Sequence, residues 1–121
     1  MERVIREAVL PAPRQEVWAA LTEPERLAEW LGGEVQIDVR PRGLVAVRGT
    51  GGMDRQGRVV AVNRPYRLVI EWWERYAGAD AIDDIPVTRV EFVLQEEEEG
   101  GTRLTVSEWL HAQSGPVSEA G

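Results

Sequence analysis

The sequence contains no cysteine and a single histidine. The absence of cysteine excludes disulfide bonds, thiolate zinc sites and a cysteine nucleophile. The histidine, His111, follows a predicted strand in a polar tail and is not part of a recognised motif with an acid and a nucleophile, and this disfavours a catalytic triad. No known nucleophile motif is present. These absences favour a binding protein over an enzyme and predict neither a metal nor a cofactor.

Long apolar segments and an excess of positive charge are also missing. The 14 basic and 21 acidic residues give a formal net charge of −7, so neither nucleic acid nor an anionic membrane surface is expected as a partner. No apolar run reaches the length of a membrane span, and the N-terminus lacks the apolar core of a signal peptide. A cytoplasmic location is therefore expected. The 121 residues fit one domain, residues 1–121.

Tryptophan, in contrast, is abundant. Each tryptophan supplies a large apolar surface and one N–H group that favours a hydrogen-bond partner. In so small a domain, five of them indicate either a bulky core or a wide apolar pocket, and the composition leaves both open. Five of the eight aromatic residues are tryptophan, namely Trp18, Trp30, Trp72, Trp73 and Trp109.

The first third of the chain predicts one strand and two short helices. Residues 3–10 have strand character, and the apolar spacing then changes to the helical period. Thr22 and Glu25 have the spacing of a capping box at the start of the second helix. The apolar faces of the two helices hold Val17, Trp18 and Leu21, and Leu27, Trp30 and Leu31.

The remainder predicts six strands joined by short loops, which is typical of an antiparallel meander. The glycine-rich stretch 51–57 separates the second and third of these strands, and the polar stretch 77–87 is predicted to be a connection. Alternation with a period of two places three sets of residues on one face of the sheet: Leu68, Ile70 and Trp72; Val90, Phe92 and Leu94; and Leu104, Val106, Glu108 and Leu110.

Two other motifs suggest chemistry only at first sight. Gly52 and Gly57 have the spacing of a phosphate-binding loop, but arginine and valine stand where that loop needs lysine and serine or threonine. Glu96–Glu99 is a run of four acids, but successive residues of a strand point to opposite faces and do not converge on a metal. Both stretches are interpreted as hairpin turns.

Four longer motifs carry a family resemblance. The stretches APRQEVWAALTEPERLAEWLGG, VQIDVRPRG, GRVVAVNRPYRLVIEWW and TRLTVSEWL, in this order, resemble the activator-of-Hsp90-ATPase-like branch of the SRPBCC superfamily, also called START-like or Bet v 1-like. The resemblance extends from about Val4 to Leu110. It implies an α+β helix-grip fold, in which a curved antiparallel sheet holds two short N-terminal helices and one long C-terminal helix.

The long final helix is the part of this pattern that the sequence lacks. A covering helix needs ~20 residues, whereas eleven residues follow Leu110. The apolar face of the sheet is then expected to be partly open. Three explanations are open: a truncated chain, closure of the face by a second copy in a homodimer, or a degenerate variant of the fold. Truncation is favoured, and dimerisation comes second.

The resemblance implies that a small hydrophobic molecule, such as a lipid or a polyketide-like compound, binds on the concave face. A chaperone-associated interaction module is the alternative, and a cyclase- or aromatase-type enzyme is a further one. Glu108 would orient a polar group of the ligand, act as a general base, form a structural salt bridge or hydrogen bond with an arginine or a tryptophan N–H, or face water at the open edge. The predicted ligand-binding residues are Trp18, Trp30, Leu31, Leu68, Ile70, Trp72, Phe92, Val106 and Glu108.

Overall fold

The computed structural model describes residues 3–31, 33–49, 54–75 and 87–111. Within these ranges one strand is followed by two helices and six further strands, so the predicted order of elements is confirmed. The elements are β1 (Arg3–Leu10), α1 (Arg14–Thr22), α2 (Pro24–Leu31), β2 (Gly33–Ile37), β3 (Leu44–Gly49), β4 (Asp54–Asn63), β5 (Arg67–Arg75), β6 (Val87–Glu96) and β7 (Thr102–His111).

The seven strands form one antiparallel sheet in the order β1-β7-β6-β5-β4-β3-β2. From β2 to β7 each strand pairs with the next one along the chain, as a meander requires. β1 instead pairs with β7 over its whole length, from Arg3 opposite Trp109 to Leu10 opposite Thr102. The sheet is curved and carries both helices on its concave face. The predicted helix-grip architecture is confirmed. The predicted lack of a long C-terminal helix concerns residues outside the described ranges and stays a prediction.

The strand register places the predicted apolar residues on the concave face. Leu68 lies opposite Phe92, and Ile70 lies opposite Val90. Phe92 in turn lies opposite Val106. Since directly opposed residues of antiparallel strands share a face, the sets predicted for β5, β6 and β7 do meet on one side of the sheet.

Two apolar clusters form the core, and Trp72 packs against both. The smaller cluster joins Leu27 of α2 to Val35 and Val47 of the sheet. The larger one joins α1 to strands β3 to β7, and full burial of one of its leucine side chains contributes about 1.5–3 kcal/mol. Its α1 members are Val17, Trp18 and Leu21.

The junction of the two helices differs from the prediction. Thr22 is the last residue of α1, and its hydroxyl donates a hydrogen bond to the carbonyl oxygen of Trp18 at 2.8 Å. The second helix begins at Pro24, so its N-cap position falls on Glu23. The predicted capping box of Thr22 and Glu25 is therefore wrong, because Thr22 lies one residue too early.

Strand β4 is longer than predicted, because it begins at Asp54 instead of Gly57. The added residues pair with both β3 and β5. Gly57 lies opposite Trp72, and a Cβ atom at this position would come within 1.9 Å of the carbonyl oxygen of Glu71. Glycine at position 57 thus permits the close approach of two strands. Residues 50–53 of the predicted turn lie outside the described ranges.

A buried hydroxyl connects the last strand to the segment between β1 and α1. Thr102 is 0% exposed, and its Oγ1 donates a hydrogen bond to the carbonyl oxygen of Ala12 at 2.7 Å. The hairpin that leads to Thr102 turns at Gly100, whose φ of 88° favours glycine. The hydrogen bond therefore holds the entry to α1 against the end of β7.

We expect Thr102→Val to lower the free energy of unfolding by about 1–2 kcal/mol, because the Ala12 carbonyl loses its donor while the side-chain volume changes little. Urea denaturation followed by tryptophan fluorescence measures this. The control is Thr105→Val on the outer face of the same strand, for which a change within about 0.5 kcal/mol is expected. Equal losses in the two variants would contradict the assigned role of the hydrogen bond.

Candidate functional site

Helix α1 covers one end of the concave face, and the other end is less covered. Near α1, Leu94 and Leu104 are 1% and 4% exposed. Further along β7 the inward-facing residues become half-buried and finally, at Leu110, 54% exposed, although Val90 on the neighbouring β6 is 2% exposed. We call this region the open end and define it by Val4, Trp72, Phe92, Val106, Glu108 and Leu110.

The predicted ligand-binding residues divide between the core and the open end. Trp18, Leu68 and Ile70 are 4%, 1% and 3% exposed and belong to the larger core cluster. A ligand contact for these three stays a prediction. The side chains of Trp30 and Leu31 fall outside the part of the structure that is described. The remaining four, Trp72, Phe92, Val106 and Glu108, are half-buried and lie at the open end.

Glu108 lies in the middle of this apolar surface. It faces Val4 of β1 on one side and Val90 of β6 on the other, and it is half-buried. Among the described residues no hydrogen bond or ion pair to its carboxylate is found. Arg6, which lies opposite Val106, is its diagonal neighbour on the same face. The structural salt bridge considered from the sequence therefore has no partner within the described ranges.

Arg55 is a residue of this region that the sequence pattern did not reveal. It lies in the stretch predicted to be a turn, and β4 places it on the concave face opposite Val47. Its guanidinium carbon lies 4.8 Å from the centroid of the Trp72 ring, a cation–π distance. The only sequence signal for a strand at this position was the alternation of Arg55, Gly57 and Val59. This signal is weak, because glycine is uncommon in strands and indicates a turn.

The opposite, outer face of the sheet carries a buried carboxylate. Glu71 is 5% exposed. It accepts two hydrogen bonds from Arg89, including one from Nε at 3.0 Å, and its Oε1 lies 3.6 Å from Nε of Arg58. Beside it, Arg67 Nε donates to Glu91 at 2.6 Å. This network is not evident from the sequence, because alternate charged residues on strands are also found on ordinary solvated faces.

A second charged group lies where β7 meets β1 on the same outer face. Nε of Arg103 donates to Glu97 at 2.9 Å, and its NH1 donates to Glu7 at 3.1 Å. The hydrogen bond and the charge of Glu97, followed by the charge of Glu7, raise the pKa of Arg103. The guanidinium thus connects the β6–β7 hairpin to β1.

Within the described ranges, no group of three acidic or histidine side chains is placed to hold a metal ion. Among the same residues, no helix has the length and apolar character needed to cross a membrane.

The sequence pattern of one protein family covers nearly the whole chain. The family described as Activator of Hsp90 ATPase homolog 1-like protein matches residues 11–120. The chain belongs to this family. The resemblance inferred from the motifs is thereby confirmed. A search among proteins of curated function found no significant match.

Several solved structures have a fold similar to that of this chain. CalU16 from Micromonospora echinospora is 32% identical, with a TM-score of 0.66, and the match covers 88% of this chain and 59% of CalU16. MLL2253 from Mesorhizobium loti is 22% identical, with a TM-score of 0.75 and coverage of 92% and 78%. PFC0360w from Plasmodium falciparum, an Hsp90 activator, is 16% identical, with a TM-score of 0.69 and coverage of 89% and 72%. The last two show the shared fold alone.

Glu71→Gln is expected to lower the free energy of unfolding by about 1.5–3 kcal/mol, because the Arg58 and Arg89 guanidinium groups lose the buried charge that they share. Glu91→Gln is the matched control. Its pair with Arg67 is more exposed, with side chains 21% and 43% accessible, so a loss of about 0–1 kcal/mol is expected. Chemical denaturation measures both variants, and a larger loss for Glu91→Gln would contradict the assignment.

Proposed function

We propose that the protein binds a small hydrophobic molecule at the open end of its concave face. The observation that carries this proposal is an apolar surface with one carboxylate in its midst. Trp72, Phe92 and Val106 are half-buried there, and Val4 and Leu110 are 48% and 54% exposed. Binding sites for small molecules are concave and mostly apolar, with a few polar groups that orient the ligand.

The same surface supports a ligand that is apolar over most of its area and has one hydrogen-bond donor. An ionised carboxylate that is partly removed from water gains from a donor of its own. Glu108 offers such an acceptor between Val4 and Val90. A lipid or a polyketide-like molecule with a hydroxyl group fits this description, and it is also the ligand class that the superfamily resemblance implies.

Family membership favours a second candidate function, which is contact with a chaperone. PFC0360w, which shares the fold, is described as an Hsp90 activator, and the family is named after such activators. The chain would then be an interaction module. The rate of ATP hydrolysis by purified Hsp90, measured with and without the chain, separates the two candidates. Stimulation without any small molecule favours the chaperone role, whereas an unchanged rate together with ligand binding favours the first proposal.

Val106→Lys is expected to lower the affinity for the neutral fluorescent probe Nile red by about tenfold or more, because it places an ammonium group within the apolar surface. Thr105→Lys adds the same charge at the neighbouring position, on the outer face, and should leave the affinity unchanged. Fluorescence titration measures both, with thermal melting to verify that each variant is folded. Equal affinities in the two folded variants would place the probe site elsewhere.

Glu108→Ala tests the role of the carboxylate. Its loss should weaken the binding of naphthol by about tenfold, the effect of one lost charge-assisted hydrogen bond, and should leave the binding of naphthalene unchanged or slightly tighter. Competition of each compound against Nile red measures the two affinities. If both compounds bind the variant as tightly as they bind the unmodified protein, Glu108 does not orient the ligand.

A further inference from the structure

The outer edge of β1 is the most exposed regular element among the described residues. The strand order places β1 at the end of the sheet, so that β7 pairs with only one of its two sides. Seven of its eight residues are exposed. Three large apolar side chains are among them: Val4, Ile5 and Val9, at 48%, 57% and 55%. Both the backbone and the side chains of this edge are thus available to a partner.

Apart from the charged side chains of Arg3, Arg6 and Glu7, this edge has none of the features by which proteins usually block strand pairing. Proline, lysine, bulges and very short strands are the common protections. The sequence of Arg3–Leu10 contains neither proline nor lysine, and its register with β7 runs without interruption. The opposite edge, β2, has only five residues, and α2 packs beside it through the contact of Leu27 with Val35. Of the two edge strands, β1 is therefore the one that is long and exposed enough to pair with another strand.

The sequence of β1 is complementary to itself in one register. Consider two copies that pair antiparallel about a two-fold axis, with their concave faces on the same side of the joined sheet. One residue of each strand then lies at the axis, directly opposite the same residue of the other copy, and we call it the central residue. With Ile5 at the centre, Arg3 lies opposite Glu7 of the partner's strand, and Val4 lies opposite Arg6. Charges of opposite sign then meet twice on the outer face, and isoleucine meets isoleucine between them.

The neighbouring registers are less favourable. With Val4 at the centre, Arg3 would lie opposite Ile5, and both pairs of Arg3 with Glu7 would be lost. With Arg6 or Glu7 at the centre, two identical charges would face each other directly, which is destabilising. The Ile5 register also places the aliphatic stem of each Arg6 over Val4 of the other copy, a contact that arginine makes readily. Charge complementarity and apolar contact therefore select the same pairing.

We infer that the chain forms a two-fold symmetric dimer in which the β1 strands of two copies pair antiparallel about Ile5. The pairing joins the two sheets edge to edge and leaves the concave face of each copy uncovered. It thus differs from a dimer in which the second copy closes that face. It does not depend on the proposed ligand. A single strand pair buries little surface, so the association is weak and depends on concentration.

Single cysteine variants test the inference, because the chain has no cysteine of its own. In the proposed register, Ile5→Cys brings two thiols to directly opposed positions, whose Cα atoms are ~4.5–5.5 Å apart and within disulfide range. Val9→Cys is the matched control, since it lies on the same strand and face with nearly the same exposure. Its two copies would lie roughly 26 Å apart, beyond the reach of a disulfide.

Each variant is incubated at about 0.1 mM with oxidised glutathione, which accepts the two electrons and two protons of the thiols, and the covalent dimer is quantified on non-reducing gels. We expect Ile5→Cys to cross-link at least about tenfold faster than Val9→Cys. Equal rates, or a faster Val9→Cys, would overturn the register. Thermal melting verifies that both variants are folded.

The unmodified protein provides an independent measurement. Sedimentation equilibrium at protein concentrations up to about 1 mM detects dimers with a Kd as weak as about 1 mM. It should show a monomer–dimer equilibrium. Glu7→Arg should weaken it severalfold, because two arginines then face each other on the outer face. Glu34→Arg on β2 is the control for net charge and should not weaken it. A monomer throughout this range would overturn the inference.

Discussion

Three side chains of α1, Val17, Trp18 and Leu21, are 3%, 4% and 1% exposed and pack against strands β3 to β7. A curved sheet with an apolar concave face needs a cover on that side. Because α1 is only nine residues long, it covers one end and leaves the other available. The same contact thus stabilises the domain and determines which part of the concave face is more exposed. The candidate site is the part of the core face that this helix does not reach.

Strand β5 shows how the two faces of the sheet differ. Leu68, Val69, Ile70 and Glu71 are consecutive and all buried, so both sides of the strand are covered. The concave side is covered by apolar packing, and the outer side by arginine side chains that pair with carboxylates. All 14 basic residues of the chain are arginine, whose planar guanidinium forms several directed hydrogen bonds at once. The outer face therefore carries a network of directed hydrogen bonds and ion pairs.

The sequence predicted the strands and their faces well, because a period of two is a local signal that the sheet preserves. The residues that it predicted poorly depend on neighbours distant in the chain. The role of Thr22 depends on where the next helix begins, and the extension of β4 depends on pairing with two other strands. The burial of Glu71 results from Arg58 and Arg89, which lie on different strands. The open end is formed by residues of β1, β5, β6 and β7, which are distant in the sequence. Its shape therefore follows from the fold, and no local sequence pattern predicts it.

The pairing of β1 with β7 has a consequence for the order of folding. The two strands lie at opposite ends of the described chain, and more than ninety residues separate Leu10 from its partner Thr102 along the sequence. During synthesis β1 has no pairing partner until β7 has left the ribosome. Contacts of such long range slow folding and make it cooperative, since the meander can form earlier but the sheet cannot be completed. Completion of the sheet therefore depends on β7, the last strand among the described residues.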